Sequence, residues 1–463
     1  MTAPTPQDLV EHALETSRSP GCVVLVRNSS RANLRWANNT LTTNGVMHDV
    51  TVTVVAVHQR GNGTATGSVT ASGASLEQVT HVVEAADAAA AAAAGPAEDA
   101  ADLVTGAAAE DWRELPVSTS IEVYSDFAPA LGEAFGRATA EDRILYGFVD
   151  HDITTTYLGS STGLRVRHVQ PSGHYGCTGK PSDLSTSAWV GGATRDFTDV
   201  DALDMEAELV RRLGWAGNRV DLPAGRYDTV LPPTAVSDLM IYAYWTAGAR
   251  EAHEGQTVFS RRGGGTRIGD RLSRHPVQIF SDPGYPGLGA APFVSATQSN
   301  NLESVFDNGL PLGRTDWVKD GELTALLQTR HSAGLTEQPV TPYVDNLVVS
   351  VDGATGSTDD LVAGIDDGLL VTCLWYIREV DPQTLLLTGL TRDGVYRVEG
   401  GEVTGAVNNF RFNESPVALL DRFSEASATV PSFSREWGDY FPRTATPALR
   451  VPDFNMSTVS QAQ

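Results

Sequence analysis

The 463-residue sequence is short of cysteine, of paired histidines, of positive charge and of long apolar runs, and each shortage excludes something. Cys22, Cys177 and Cys373 are odd in number and far apart, so they build no disulfide framework and no CxxC metal knuckle. Lys+Arg total 33 against 57 Asp+Glu, a net charge of −24, which repels nucleic-acid backbones and anionic membrane surfaces. The longest alanine run, Ala88 to Ala94, is bounded by Asp87 and Gly95 and is far too short to span a bilayer. The N-terminal MTAPTPQDLVEHALE lacks a basic region followed by an apolar core, so no signal peptide is expected and a reducing, cytoplasmic setting is.

What is present is a chain long enough for roughly two to three domains, with 41% hydrophobic and 19% charged residues. Leu9, Val10, Ala13 and Leu14 have helical spacing. GCVVLV, LRWANNTL and VTVTVVAV read as three strands, followed by a fourth after a turn at Gly61-Asn62-Gly63. Ser75 and Gln78 form a capping box opening a helix that runs toward Gly95-Pro96. A second unit holds a helix near 128–141, strands in ILYGFVDHDITTTYLG and LRVRHVQ, and a helix at 199–213 capped by Asp199. From Gly225 onward, short apolar runs alternate with Gly, Pro and Asp turns, interrupted by one helix over about 234–254. The expected class is therefore α+β, with an N-terminal helix and antiparallel-sheet domain at 1–112, a central α+β segment at 113–224, and a β-rich domain with one long helix at 225–463.

No catalytic constellation emerges from the residues themselves. Gly61, Gly63 and Gly67 fall between two strands and open no helix, which argues for a hairpin over a phosphate loop. Gly263-Gly264-Gly265 after Arg261 and Arg262 reads as a flexible loop for the same reason. No two histidines have HExxH spacing. His168, His174 and Cys177 could in principle hold zinc, but the intervening QPSG reads as a turn and favours ordinary polar loop residues. Asp196, Asp199, Asp201 and Asp204 lack the Gly and Glu of a calcium loop and suit a helix start. No G-x-S-x-G elbow is present, and Cys373 inside VTCLWYI reads as a core thiol.

The order of several segments resembles the TldD/PmbA family. These are LRWANNTLTTNGV; then GRYDTVLPPTAVSDLMIYAYWTAGAREAHEGQTVFSRRGGGTRIGDRL; then SDPGYPGLGAAPF, NGLPLG and NLVVSVDGATGSTDDLVAGIDDGLLV. The resemblance implies a two-subunit zinc metalloprotease in which one subunit carries an HExxxH helix and its TldE/PmbA-type sister does not. Matching Glu254-Gly255 to the family's E-G pair places the first zinc histidine on Thr246, the catalytic glutamate on Ala247 and the second zinc histidine on Glu251. The family's C-terminal cysteine ligand has no counterpart in PRTATPALRVPDF. The resemblance therefore implies the sister subunit: no catalytic, cofactor-binding or metal-ligating residue in this chain, and zinc in a TldD-like partner. It also implies peptides or unfolded polypeptides as substrates, and it leaves a homodimer open. Two rivals stand beside it. One is a peptidase with a relocated metal site using Glu251, His253 and His275, and the other a stand-alone peptide-binding or maturation factor.

Overall fold

Backbone pairing over long sequence distances organises the N-terminal half of the computed structural model, which describes residues 4–61, 63–73 and 75–460. Helix α1 (Pro6–Thr16) starts at a Thr5/Asp8 capping box. The β-branched run that follows opens β1 (Gly21–Ala37), which forms a long hairpin with β2 (Thr40–Arg60), and β3 (Gly63–Ser72) adds to β2. GCVVLV and LRWA thus belong to one strand, where two had been expected, because Asn38 and Asn39 at φ 52° and 57° supply the first chain reversal. The expected turn between β2 and β3 includes Asn62, which lies outside the described residues. Helix α2 (Leu76–Ala92) opens on the Ser75/Gln78 box, as read from the sequence.

After α3 (Phe127–Ala140) come β4 (Arg143–Ser160), β5 (Arg165–Pro181), β6 (Ala188–Thr194) and α4 (Ala202–Trp215). The cap of α4 is Asp201, whose Oδ1 accepts from Leu203 N at 2.7 Å; the expected cap, Asp199, instead accepts from Thr194 Oγ1. Strand β4 pairs with β1 along its length, giving one six-stranded sheet in the order β3-β2-β1-β4-β5-β6. This sheet spans the expected division between 112 and 113. The pairing of residues more than a hundred positions apart carries no local signal in the sequence.

The period-2 alternation of these strands gives the sheet two different faces. One face, with Val24, Val26, Val54 and Ala56 and then Leu34, Trp36, Val149 and Cys177, is covered by α1, α2, α3 and α4. The other is apolar only at one end, where Val23, Leu25 and Leu158 pack on Phe293 and Phe306 of the C-terminal half, and is polar over the remainder.

The C-terminal half runs β7 (Arg219–Val220), β8 (Gly225–Leu231), α5 (Pro233–Trp245), α6 (Ala249–His253), β9 (Val277–Ser281), β10 (Thr315–Lys319), β11 (Glu322–Leu323) and α7 (Arg330–Thr336). It continues with β12 (Leu347–Val351), α8 (Thr358–Ala363), β13 (Asp367–Val371), β14 (Leu374–Asp381), β15 (Leu386–Thr391), β16 (Val395–Glu399), β17 (Glu402–Val407) and β18 (Phe410–Glu414). Then follow α9 (Pro416–Arg422), β19 (Glu425–Ala426), β20 (Val430–Ser432), β21 (Thr444–Thr446) and β22 (Leu449–Val459). One sheet has the order β11-β10-β9-β12-β21-β20; the other is ten-stranded, with β8, β13 and β22 in its middle. Helix α5 buries Ala235 through Ile241 without a break, Ser237 and Asp238 included, and forms the centre of the core between the sheets. Trp317 and Leu347 reach it from one sheet, Leu369 and Phe412 from the other.

The single helix expected over 234–254 is two helices. Thr246 caps α5, its Oγ1 donating to the carbonyls of Tyr242 and Ala243 at 3.0 and 3.1 Å. Gly248 then takes extended φ/ψ of −64° and 125° and starts α6. The break is held by backbone pairing, with Leu327 N donating to Ala247 O and Ala249 N to Leu327 O.

Candidate functional site

The polar face of the six-stranded sheet looks across a cleft at the C-terminal half. Alternate residues Arg27, Ser29 and Arg31 of β1 share that face with Asp150, Asp152, Thr154 and Thr156 of β4 and with His168, Gln170 and His174 of β5. Arg31 Nε donates to Asp150 Oδ1 at 2.6 Å, and Ser29 and Thr154 hydroxyls are 2.6 Å apart. Contacts across the cleft are few and polar. Arg27 Nη2 donates to Ser295 O at 3.0 Å and Gln170 Nε2 to Gly289 O at 3.0 Å. His174 stacks on Phe433 at 5.5 Å between ring centres, with its Nε2 3.6 Å from Asp439 Oδ1. At the rim, the Arg435 guanidinium lies between Trp189 of β6 and Trp375 of β14, 4.4 and 4.8 Å from the two rings.

Desolvation dominates the electrostatics of this cleft. Burial lowers the pKa of His168 and His174 below the ordinary imidazole value, which favours the neutral forms. It raises Asp345 despite the Arg443 guanidinium paired with it, and it raises Glu303 and the Tyr343 phenol. The Asp345 side chain is 43% accessible toward the cleft.

The positions matched to the family's zinc site adjoin this cleft. Tyr244, near the end of α5, stacks on Tyr343 at 5.3 Å, and Leu302 lies against both the cleft and Gly248. At these positions the donors do not fit a zinc ion. The Thr246 hydroxyl is committed to two carbonyls, Ala247 has no side-chain donor, and Glu251 offers one carboxylate folded over Gly248. Glu251 Oε2 is buried without a partner. The residues of the relocated-site rival are dispersed: Glu251 and His253 are on α6, His253 is exposed, and His275 stacks on Phe423 at 4.1 Å. Among the described residues, no three His, Cys, Asp or Glu side chains converge as a metal site would require.

The other motifs resolve into structure. QPSG is not a turn but continuous β5, so His168 and His174 face the cleft while Cys177 points into the helix-covered core. Gly63 and Gly67 lie in β3. Gly263, Gly264 and Gly265, all at positive φ, form a loop closed by a Ser260–Thr266 bridge. Asp196 accepts from Thr198, and the α4 start absorbs Asp201 and Asp204. All three cysteines are buried, and burial pushes their thiols up to about 11 for Cys22 and about 12 for Cys177 and Cys373. The native chain should therefore show no fast reaction with a thiol reagent at pH 8, and three thiols after unfolding in guanidinium; rapid native labelling would contradict these positions.

Sequence reasoning missed Arg27, Glu303, Tyr343, Asp345 and Arg443. They are dispersed over more than four hundred positions and form no motif. The one local signal is Arg27 itself, a cation following the apolar run Cys22 to Val26 on a strand.

A six-stranded sheet, helix-backed on one face and set over a two-sheet body across a polar cleft, defines an α+β protein. The profile of the PmbA/TldA metallopeptidase C-terminal domain matches residues 224–458, and the chain belongs to that family. Solved structures share the fold across nearly the whole length. TldE from Thermococcus kodakarensis has a TM-score of 0.74 at 15% identity, over 97% of this chain and 99% of that one. A candidate modulator of a DNA gyrase from Thermotoga maritima has 0.73 at 16% identity, over 94% and 95%. Another from Bacteroides thetaiotaomicron has 0.73 at 12% identity, over 98% and 98%. No curated protein sequence matches the chain. Among the described residues, no helix is long and apolar enough to cross a membrane.

Proposed function

We propose that this chain is the non-catalytic, TldE-type subunit of a cytoplasmic two-chain zinc metallopeptidase, walling a peptide-degrading cavity whose zinc and general base come from a TldD-like partner. The carrying observation is the triad Thr246, Ala247 and Glu251, which the sequence resemblance matches to the family's metal positions and which stands beside the cleft without the donors zinc requires. A catalytic zinc needs three protein ligands to hold a water at lowered pKa, and one carboxylate cannot substitute for them. The polar cleft supports a peptide-handling role, since an extended chain can be bound through backbone and side-chain hydrogen bonds. The solved TldE structure shares this fold over nearly its whole length.

The test is zinc content and cleavage of a mixed short-peptide substrate, measured for this chain alone and after co-expression with an HExxxH-bearing family member. The expected result is neither zinc nor cleavage alone, and a complex with both after co-expression. Stoichiometric zinc and cleavage by the isolated chain would overturn the reading.

A further inference from the structure

Within the cleft, beside the end of α5, lies a cavity of about 290 Å³ bounded by Arg27, Val294, Glu303, Leu312, Tyr343 and Asp345. Its size is at the small end of ligand pockets, suited to a single residue or a very short peptide. Two of its charged groups are left incomplete by the protein. The Arg27 guanidinium has its hydrogen bond to Ser295 O, but among the described residues no carboxylate is in ion-pair contact with it. Glu303 likewise has no cation in ion-pair contact, although it and Arg27 feel each other's field. Burial disfavours the charged form of each, lowering the pKa of Arg27 and raising that of Glu303.

A half-buried cation and a half-buried anion lining one cavity would ordinarily draw together, because each alone is costly to dehydrate. Here they are held apart by different elements: Arg27 by the β1 register, and Glu303 by a loop in which its backbone N donates to Asn300 Oδ1 at 3.0 Å. Asp345 is paired with Arg443 and reaches Arg27 through its field, without an ion-pair contact. A ligand carrying one charge of each sign would complete both groups at once.

We infer that this cavity binds a small zwitterion of the α-amino acid or dipeptide class, with its carboxylate on Arg27, its ammonium on Glu303 and its side chain against Val294 and Leu312. Guanidinium suits a carboxylate because its planar donors match two oxygens together. Every group involved belongs to this chain, so the inference stands or falls without the partner subunit, zinc or cleavage.

The experiment is isothermal titration calorimetry of the full chain with L-alanyl-L-alanine, its N-acetyl derivative and its C-terminal amide. One saturable site is expected for the dipeptide, with each cap weakening binding about tenfold or more. In Arg27→Gln the dipeptide and its amide should bind alike while the acetyl cap still weakens binding, and Glu303→Gln should show the reverse. Absence of saturable dipeptide binding, or binding indifferent to both caps, overturns the inference. Should a variant fail to fold by circular dichroism, the three ligands on the unaltered chain decide the matter.

Discussion

Asp238→Leu should destabilise the C-terminal half by about 2–5 kcal/mol in denaturant unfolding, since two donors lose their buried acceptor together. Asp238 is fully buried on α5, and its Oδ1 accepts from Ser434 Oγ and, at 2.9 Å, from Glu436 N. Its other oxygen has no partner. Burial pushes its pKa up to about 8, against the two hydrogen bonds and with help from the neighbouring Glu436 charge. The consequence for pH follows from linkage. Between the ordinary carboxyl value and about 8 the folded chain keeps this proton and the unfolded chain has lost it. This group's contribution to stability is therefore present at low pH and is lost as pH rises toward 8. Relative to Asp238→Asn, which cannot ionise, the natural chain should lose about 1.4 kcal/mol per pH unit between pH 5 and 8, and run parallel above it. Parallel curves from pH 5 upward would show that Asp238 is ionised in the folded chain. The stake is local: the loop anchored by Asp238 carries Phe433, which stacks on His174, and Arg435, which bridges Trp189 and Trp375. Loss of the anchor loosens one wall of the cleft.

Gly67→Val should cost at least about 3 kcal/mol and detach α2 from the sheet. Helix α2 lies so close to β3 that a Cβ at Gly67 would overlap the backbone at Ala86 and Ala90 and reach Ala89 Cβ at 2.8 Å. Neither a helix backbone nor a strand in the middle of its ladder can move aside cheaply. The checks are thermal melting and limited proteolysis, with new cuts expected within 76–92. Gly132 supplies the contrast, because it is inside α3 with open space where its Cβ would stand. Gly132→Ala should stabilise by about 0.5–1 kcal/mol through helix propensity. Equal tolerance of Gly67→Val would mean that α2 does not pack as described.

The difference between these glycines marks what the sequence could show. Local signals were legible: the Ser75/Gln78 box, the β-branched runs that became β1, β2, β4 and β5, and the apolar helix after Pro233. So was the α+β class. What was not legible is tertiary. Gly67 read as part of a glycine string because the sequence announces α2 but not how closely it packs over β3. The β1–β4 pairing that joins 1–112 to 113–224 arises from register between distant strands, and QPSG looked like a turn although its pairing with β4 keeps it extended. The break at Thr246–Gly248 depends on Leu327, eighty positions on. The family resemblance located Thr246, Ala247 and Glu251, while the charges of the cleft next to them came into view only with the fold.

The central claim, that this chain walls the cavity of a peptidase whose zinc lies in another subunit, is tested most directly by pull-down of the tagged chain from a lysate of its native cells. Co-purifying proteins are identified by mass spectrometry and zinc is measured in the same eluate. The account predicts a near-stoichiometric partner with an HExxxH sequence, and zinc in proportion to it. A chain that emerges alone would contradict it, most decisively with zinc bound.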